Sequence, residues 1–387
     1  MSHFPIKVAA TVNYKKIKYE DDDKEWLKNM PKPAFLFQAA AQSALKESGW
    51  WENDFSFPDK RRFGMITGFP GNRVMDYDEF KKLYPLKANR EIVGLYSSLL
   101  FFQKAHFAYG VLLSKKINAR GANIHVDTAC ASSAHALGEG FRLIKYNVSD
   151  VVVVGGASSF TDVFGLSVYN LLNALSTDET RSSRPFDKTR NGFVMGEGAG
   201  VLVLEELECA LKRGAPILAE IIGYGNSLNA YRVTDADLQG YARCMQDAMK
   251  DAHIKAEDVD YISAHGTSTP QNDATETLAV KKVLGEHAYK IPVSSIKSMI
   301  GHTICAAGAI SAIACIQMID HSIVLPTINY QEYDPECDLD YVPNKSRSNY
   351  NMDIVLSNSF GFGGQNACLV LKKFRERIEK EGVLCVG

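Results

Sequence analysis

Short apolar, β-branched runs alternate along this chain with stretches whose apolar residues recur every three to four positions. The runs are Gly64 to Gly68, Ile124 to Val126, Val151 to Gly155, Val201 to Leu204, Ile217 to Ile222, Val259 to Ala264, Ile354 to Leu356 and Cys368 to Leu371. Each predicts a strand, and the stretches between them predict helices, the first from about Pro33 to Ser48. Alternation at this spacing specifies an α/β fold. An internal echo sharpens the picture. A strand, a polar turn and a small-residue helix occur in NIHV-DTAC-ASSAHALGEGFRLI and again in IPVS-SIKSMIGH-TICAAGAISAIACIQMI. Two copies of one α/β unit, divided near Lys212 to Pro216, explain that echo. From Arg375 to Gly387 the chain is a charged tail with no core face.

One stretch invites a membrane reading. From Ser298 to Met318 no residue carries a formal charge, over a length that nearly spans a bilayer. Gly, Ser, Thr, His and Gln interrupt it and no second span accompanies it, so it reads as a buried helix packed through small residues.

Composition narrows the classes. With 387 residues, 46% of them hydrophobic, the chain can bury a large core arranged as two domains or two halves of one. The net charge of -2, with no basic block, argues against nucleic acid or an anionic membrane as partner. Eight cysteines lie scattered without a CxxC or a Cys/His ligand spacing. That pattern predicts free thiols in a reducing compartment and no zinc site. The N-terminus shows no positive region leading into a sustained apolar one, so no secretory signal is expected.

Candidate chemistry concentrates at three places. Cys130 falls on the turn between a predicted strand, Asn123 to Val126, and a predicted helix, Ala131 to Lys145. Unpaired amides and the helix dipole favour a thiolate at such a position, much as a nucleophile elbow presents its hydroxyl. A small buried hydrophobe is the alternative reading of a free cysteine. His265 follows the strand Val259 to Ala264 and opens a polar loop with Asn272 and Asp273, while Lys297 and His302 stand at the echo of the Cys130 turn. One Cys and two His at strand ends resemble a thiol active site. His125 and His135 are assigned structural roles. In SNSFGFGGQNACLVL, glycine-rich sequence between two apolar runs permits a tight reversal: a hairpin turn, or an oxyanion donor and gate carrying Phe360 and Phe362. A phosphate loop is not supported, since GxxxxGK followed by Ser or Thr is absent.

With DTACASS, AHGTSTPQND, KSMIGH and SFGFGG in this order, the chain resembles the β-ketoacyl-acyl-carrier-protein synthases of the elongating, KAS II-like branch. The resemblance runs from about residue 30 to residue 373 and includes SRPFDKTRNGFVMGEGAGVLVLE (183 to 205) and CDLDYVPN (337 to 344). It implies a thiolase fold, two similar halves in an α-β-α-β-α stack. The halves would be residues 1–212, carrying the nucleophile, and 213–373, carrying both histidines and the GFGG loop, with 374–387 as tail. It further implies that Cys130 takes an acyl chain as a thioester, while His265 and His302 promote malonyl decarboxylation and stabilise the enolate. Lys297 would organise the site electrostatically, amides of Cys130 and Phe362 would form the oxyanion hole, and Thr267 and Thr269 would bind the phosphopantetheine arm. Phe360, Gly361 and Gly363 would also line the substrate. No metal or dissociable cofactor is implied, because the acyl carrier protein brings the arm. The expected assembly is a homodimer or a ketosynthase heterodimer, in the cytoplasm.

Three departures from that family pattern stand out. The opening VVVTGLG-type strand is not in the chain, so either the start is truncated or the first half is rebuilt, and the missing first strand of the N-terminal half is expected to have its place inside the core sheet. Ser311 occupies a position where the family generally has a Glu able to pair with the lysine. YEDDDKEWLKN stands where the carrier protein is expected to dock. Residues from about Asn89 to Tyr109 look unlike those of a standard elongation enzyme, which inclines the reading toward a specialised polyketide or secondary-metabolite pathway over primary fatty-acid synthesis. Two other functions compete: a thiolase-like acyl transferase or hydrolase, which usually needs a second cysteine that the GFGG loop lacks, and a non-catalytic partner subunit of a heterodimer.

Overall fold

The computed structural model describes residues 5–20, 31–51, 59–70 and 106–375. Residues 21–29 of YEDDDKEWLKN, most of the stretch Asn89 to Tyr109, and the tail from residue 376 lie outside the described residues. Two five-stranded sheets carry the fold. The first contains β1 (Ala9–Ala10), β2 (Phe63–Gly68), β3 (Asn123–Val126), β4 (Val151–Ser159) and β5 (Met195–Glu205), in the order β1-β5-β4-β2-β3. The second contains β6 (Glu220–Leu228), β7 (Tyr261–Ser263), β8 (Val293–Ser294), β11 (Ile354–Gly361) and β12 (Gln365–Lys372), in the order β6-β12-β11-β7-β8. Between β8 and β11 in the chain, β9 (Ile323–Val324) and β10 (Arg347–Ser348) form a separate ribbon.

Both five-stranded sheets place their own strands in the order first, fifth, fourth, second, third, which makes the internal echo a repeated topology. In each, the fourth and fifth strands are antiparallel and the second to fourth are parallel. This order corrects one expectation. The position of a first strand is a sheet edge beside the fifth, not the interior of the core sheet. In the second half β6 fills that edge, antiparallel along all of β12. In the first half the described chain supplies only β1, two residues parallel to Met195–Gly196.

Helices complete five layers. α1 (Lys32–Glu47) and α2 (His106–Ile117) cover the outer face of the first sheet. α3 (Ser132–Lys145) lies between the sheets, touching β4 on one side and β12 on the other. α4 (Val163–Leu171) and α5 (Leu207–Lys212) are short connectors. On the outer face of the second sheet pack α6 (Leu238–Asp251) and α7 (Pro270–Leu284). α8 (Lys297–Ile300) is a single turn, and α9 (Ala307–His321) joins α3 in the central layer, touching β5 and β11. The outcome is the α-β-α-β-α stack of a thiolase fold.

The uncharged stretch behaves as its small residues require. Ile304–His321 is, among the described residues, the one helical stretch long and apolar enough to cross a membrane, and 67% of it is buried inside the protein. Small residues let α9 approach α3 closely: a Cβ added at Gly308 would lie 2.6 Å from both the backbone nitrogen and the Cβ of Ala134. Ser133 Oγ of α3 also accepts the N–H of Ala309, an amide in the first turn of α9 that has no partner within its own helix. Gly308→Ala should therefore force the central helices apart and destabilise the fold by about 1 to 3 kcal/mol, the usual cost of overpacking. A urea midpoint below that of the wild type checks this; an equal midpoint would show that the contact relaxes freely.

Candidate active site

Each half delivers one side of the site through the same device. After β3 the chain turns at Ala129 with φ +49°, passes Cys130 and enters α3. In the other half it turns at Ile304 with φ +44°, passes Cys305 and enters α9. A left-handed conformation costs a non-glycine residue about 1 to 3 kcal/mol and persists only when its surroundings over-determine it. At Cys130, Ser132 supplies part of that determination: its Oγ donates to Ala129 O at 2.7 Å and accepts from Thr128 N at 3.0 Å. Because α3 and α9 start side by side, the two turns face each other.

Cys130, His265 and His302 meet there. The cysteine sulfur and one nitrogen of each imidazole all lie within 4.8 Å of one another, and all three residues are buried. The donor types would also suit a soft metal ion, a grouping that sequence spacing did not suggest. Lys297, on α8, is buried beside them at 3% exposure. His302 Nδ1 accepts the Ile304 N–H at 3.1 Å, which assigns the proton to Nε2. That Nε2, like His265 Nδ1, is buried without a hydrogen-bond partner among the described residues. Burial holds both imidazoles well below the usual histidine pKa, and the Lys297 ammonium lowers them further. They are neutral, and His302 Nε2–H is a donor waiting for an acceptor.

Cys130 departs from the expectation of a thiolate. Burial pushes its thiol up to about 11, outweighing Lys297 and the amides of Phe362 and Cys130, all of which pull it down. The helix terminus is therefore insufficient alone, and the resting sulfur is protonated at neutral pH. Those two amides point at the sulfur. Burial likewise pulls Lys297 down to about 8, while Glu276 opposes that change.

Glu276 is the residue that sequence reasoning missed. It lies on α7, one turn beyond Asp273, and is fully buried; its carboxylate accepts the N–H groups of His265 and Gly266 at 2.8 Å each and approaches Asn358 Nδ2 at 3.2 Å. It fixes the backbone that carries His265; burial pushes its carboxyl up to about 7, the Gly266 and His265 amides oppose that, and its charged form raises Lys297. Ser311, in α9, is buried and offers no carboxylate, so the lysine's counter-charge comes from α7 instead. Asp273 plays a parallel part: it accepts the N–H groups of Phe186 and Ser268, tying the SRPFDKTRNGF segment to the loop after His265. The spacing of Asp273 and Glu276 on one helix face was the available signal.

Other expected residues ring this cluster. Thr267 and Thr269 share a hydroxyl hydrogen bond of 2.8 Å. Phe360 stacks on Tyr241 with ring centroids 3.6 Å apart and lies 5.8 Å from the His265 ring. The glycine-rich run is both a hairpin turn between β11 and β12 and a wall of the site. At Gly361 a Cβ would meet Thr128 O at 2.5 Å, and Gly363 turns the chain with φ +84°. Phe362 faces Tyr169 across 6.4 Å. His125 and His135 stay outside the cluster. His135 bonds Tyr224 at 2.6 Å and, through burial, drops to about 4.

A buried cysteine at a helix start, facing neutral imidazoles across a two-halved layered stack, defines the class as thiolase-fold enzymes that work through acyl thioesters. Comparison with known proteins carries this further. Residues 22–210 match the N-terminal domain of beta-ketoacyl synthases, and residues 218–331 match their C-terminal domain. The chain is 46% identical to 3-oxoacyl-acyl-carrier-protein synthase 2 of Coxiella burnetii, covering 96% of this chain and 89% of that protein. It is 37% identical to the protein of the same name from Staphylococcus aureus, with the same coverage. The match to the Synechocystis protein, at 47% identity, covers 70% of this chain and 66% of that one. Among solved structures, a beta-ketoacyl synthase from Burkholderia phymatum superposes with TM-score 0.84 at 31% identity, covering 95% of this chain and 88% of that one. A type II polyketide ketosynthase, in complex with its acyl-carrier protein and bound to the hexaketide, gives 0.80 at 33% identity, covering 96% and 89%. The chain belongs to the β-ketoacyl synthase family.

Thiol reactivity reads out these electrostatics. Iodoacetamide labelling of Cys130, followed by mass spectrometry, should accelerate as pH rises toward about 11. At pH 7 Lys297, held to about 8, is mostly charged and favours the thiolate. Lys297→Met should therefore slow labelling at pH 7 by about threefold to tenfold and move the whole pH profile upward. An unchanged rate would show that the ammonium does not act on the thiol.

Proposed function

We propose that this protein joins an acyl chain held on Cys130 to a malonyl unit held on an acyl carrier protein, by decarboxylative Claisen condensation. The observation that carries this reading is the pair of neutral imidazoles, each with a buried, unpaired nitrogen, packed against one thiol. In the first half-reaction the Cys130 sulfur attacks the carrier-bound thioester. The acyl group passes to Cys130, and the carrier's phosphopantetheine sulfur leaves with the thiol proton. Amides of Cys130 and Phe362 hold the oxyanion of the tetrahedral intermediate. In the second, malonyl thioester loses carbon dioxide, and hydrogen bonds from His265 and His302 to the thioester oxygen hold the resulting enolate. The enolate carbon attacks the acyl-Cys130 carbonyl, forming the new carbon–carbon bond and releasing the cysteine.

Thr267 and Thr269 are assigned to the phosphopantetheine arm, Lys297 to electrostatic organisation, and Phe360, Gly361 and Gly363 to the wall of the acyl site. The cofactor chemistry is that arm alone, supplied by the carrier. The units are read as 1–212 and 213–373, followed by the tail 374–387, working in the cytoplasm in polyketide or fatty-acid synthesis. A homodimer or ketosynthase heterodimer suits the surface: β3 is a sheet edge with Ile124 exposed, and α4 exposes Val163, Phe164, Val168 and Leu171.

The half-reactions separate by mutation. Cys130→Ala should abolish acyl-enzyme formation and condensation, because no nucleophile remains. Cys130→Gln should also abolish condensation yet keep or raise malonyl decarboxylation, its amide standing where a thioester carbonyl would. His302→Ala should retain some acylation and lose decarboxylation by about a hundredfold or more. Mass spectrometry of acyl-Cys130 and carbon dioxide release from malonyl carrier protein measure the two steps. Full condensation by Cys130→Ala would refute the assignment.

A further inference from the structure

Two of the three donors that meet at the cluster also make a site of a different kind. Among the described residues, Cys130, His265 and His302 are the one group of three or more Cys, His, Asp or Glu whose ligand atoms all lie within 4.8 Å of one another. The group draws on both halves of the chain, so no local spacing announces it. Its members are not equal as ligands. His302 Nδ1 accepts the Ile304 N–H at 3.1 Å, which leaves the proton on Nε2 and no lone pair there for a metal. The other tautomer would set two N–H groups against each other at that distance. His265 is under no such constraint: its Nδ1 is buried without a partner, and no hydrogen bond among the described residues fixes which ring nitrogen carries the proton. Cys130 and His265 can ligate; His302 cannot.

Two ligands, one of them sulfur, select the ion. Bonds of about 2.3 Å to sulfur and about 2.0 Å to imidazole nitrogen hold a metal in line between atoms about 4.3 Å apart, inside the observed limit. Zinc would call for four ligands, and the pair supplies two. Soft thiolate favours copper in its monovalent state. Charge argues the same way. As sulfur binds, the thiol proton leaves, so a monocation replaces it with no change in net charge, whereas a dication adds one positive charge beside the buried Lys297. Out of water that added charge is costly.

We propose that Cys130 and His265 bind one Cu+ ion in a reversible two-coordinate site, and that the ion blocks the thiol while it is bound. Thiol and Cu+ give copper thiolate and a released proton, with no change of oxidation state. This inference depends on donor geometry and not on the condensation chemistry.

Cu+ is delivered anaerobically to the full chain as its bicinchoninate complex, and loss of that complex's colour measures transfer. One tight equivalent is expected, absent from Cys130→Ala and retained in His302→Ala. His265→Ala should weaken it by about a hundredfold or more, since the outer partners of metal ligands are already worth about tenfold to a hundredfold. X-ray absorption at the copper edge of the unaltered protein should show one sulfur and one nitrogen, a readout that does not depend on a variant folding. The bound ion should also protect Cys130 from iodoacetamide, and excess bicinchoninate should restore labelling. No transfer, transfer undiminished by Cys130→Ala, an affinity indifferent to His265, a third protein ligand or a site of sulfur alone would each overturn the proposal.

Discussion

The close packing of α3 on α9 is the contact on which the rest depends. Both helices lie between two sheets, so each must present small residues to its neighbour. Ala134 against Gly308 and the Ser133 hydroxyl on the Ala309 amide fix how the helix starts are matched. Once the starts are level, the turns before them are level too, and the residues on those turns are brought to one point. Cys130 and His302 are far apart in the chain and meet because the helices behind them leave no room to slide.

The electrostatic arrangement around that point is dominated by burial. A thiol, two imidazoles, an ammonium and a carboxylate all sit out of water, and burial drives each toward its neutral form. Backbone amides resist this where the charge is needed: those of His265 and Gly266 hold Glu276, and those of Phe362 and Cys130 are aimed at sulfur. The Ile304 amide that reaches His302 Nδ1 favours the neutral ring, and in the neutral state each histidine can act as a donor. A buried nitrogen without a partner would be a defect elsewhere; in the reaction proposed above it is the group that meets a substrate oxygen.

Much of this is legible in the chain. The alternation of apolar runs with helical periods names the fold class, and the Cys130 and His302 turns are recognisable as copies of one unit because strand, turn and small-residue helix recur in both. β5 is longer than its apolar run, since Gly196, Gly198 and Gly200 interrupt the pattern although the strand begins at Met195. Glu276 escapes notice because a glutamate on an amphipathic helix looks solvated until the packing of α7 shows it buried. The Cys130 ionisation state differs from expectation for a related reason: helix position is local and visible in sequence, whereas desolvation is set by residues distant in the chain. The first-strand position differs because strand order within a sheet is a tertiary property.

The paired left-handed turns at Ala129 and Ile304 carry a consequence for how such a molecule can change. Each half retains the costly backbone bend and a thiol after it, but only Cys130 stands in the cluster; Cys305 is buried behind, its thiol pushed up by desolvation. The scaffold is thus shared between the halves while the reagents are not. Drift in either helix start alters the other half's geometry as much as its own, so the two copies are bound to vary together in their backbone while their reactive side chains remain free to diverge.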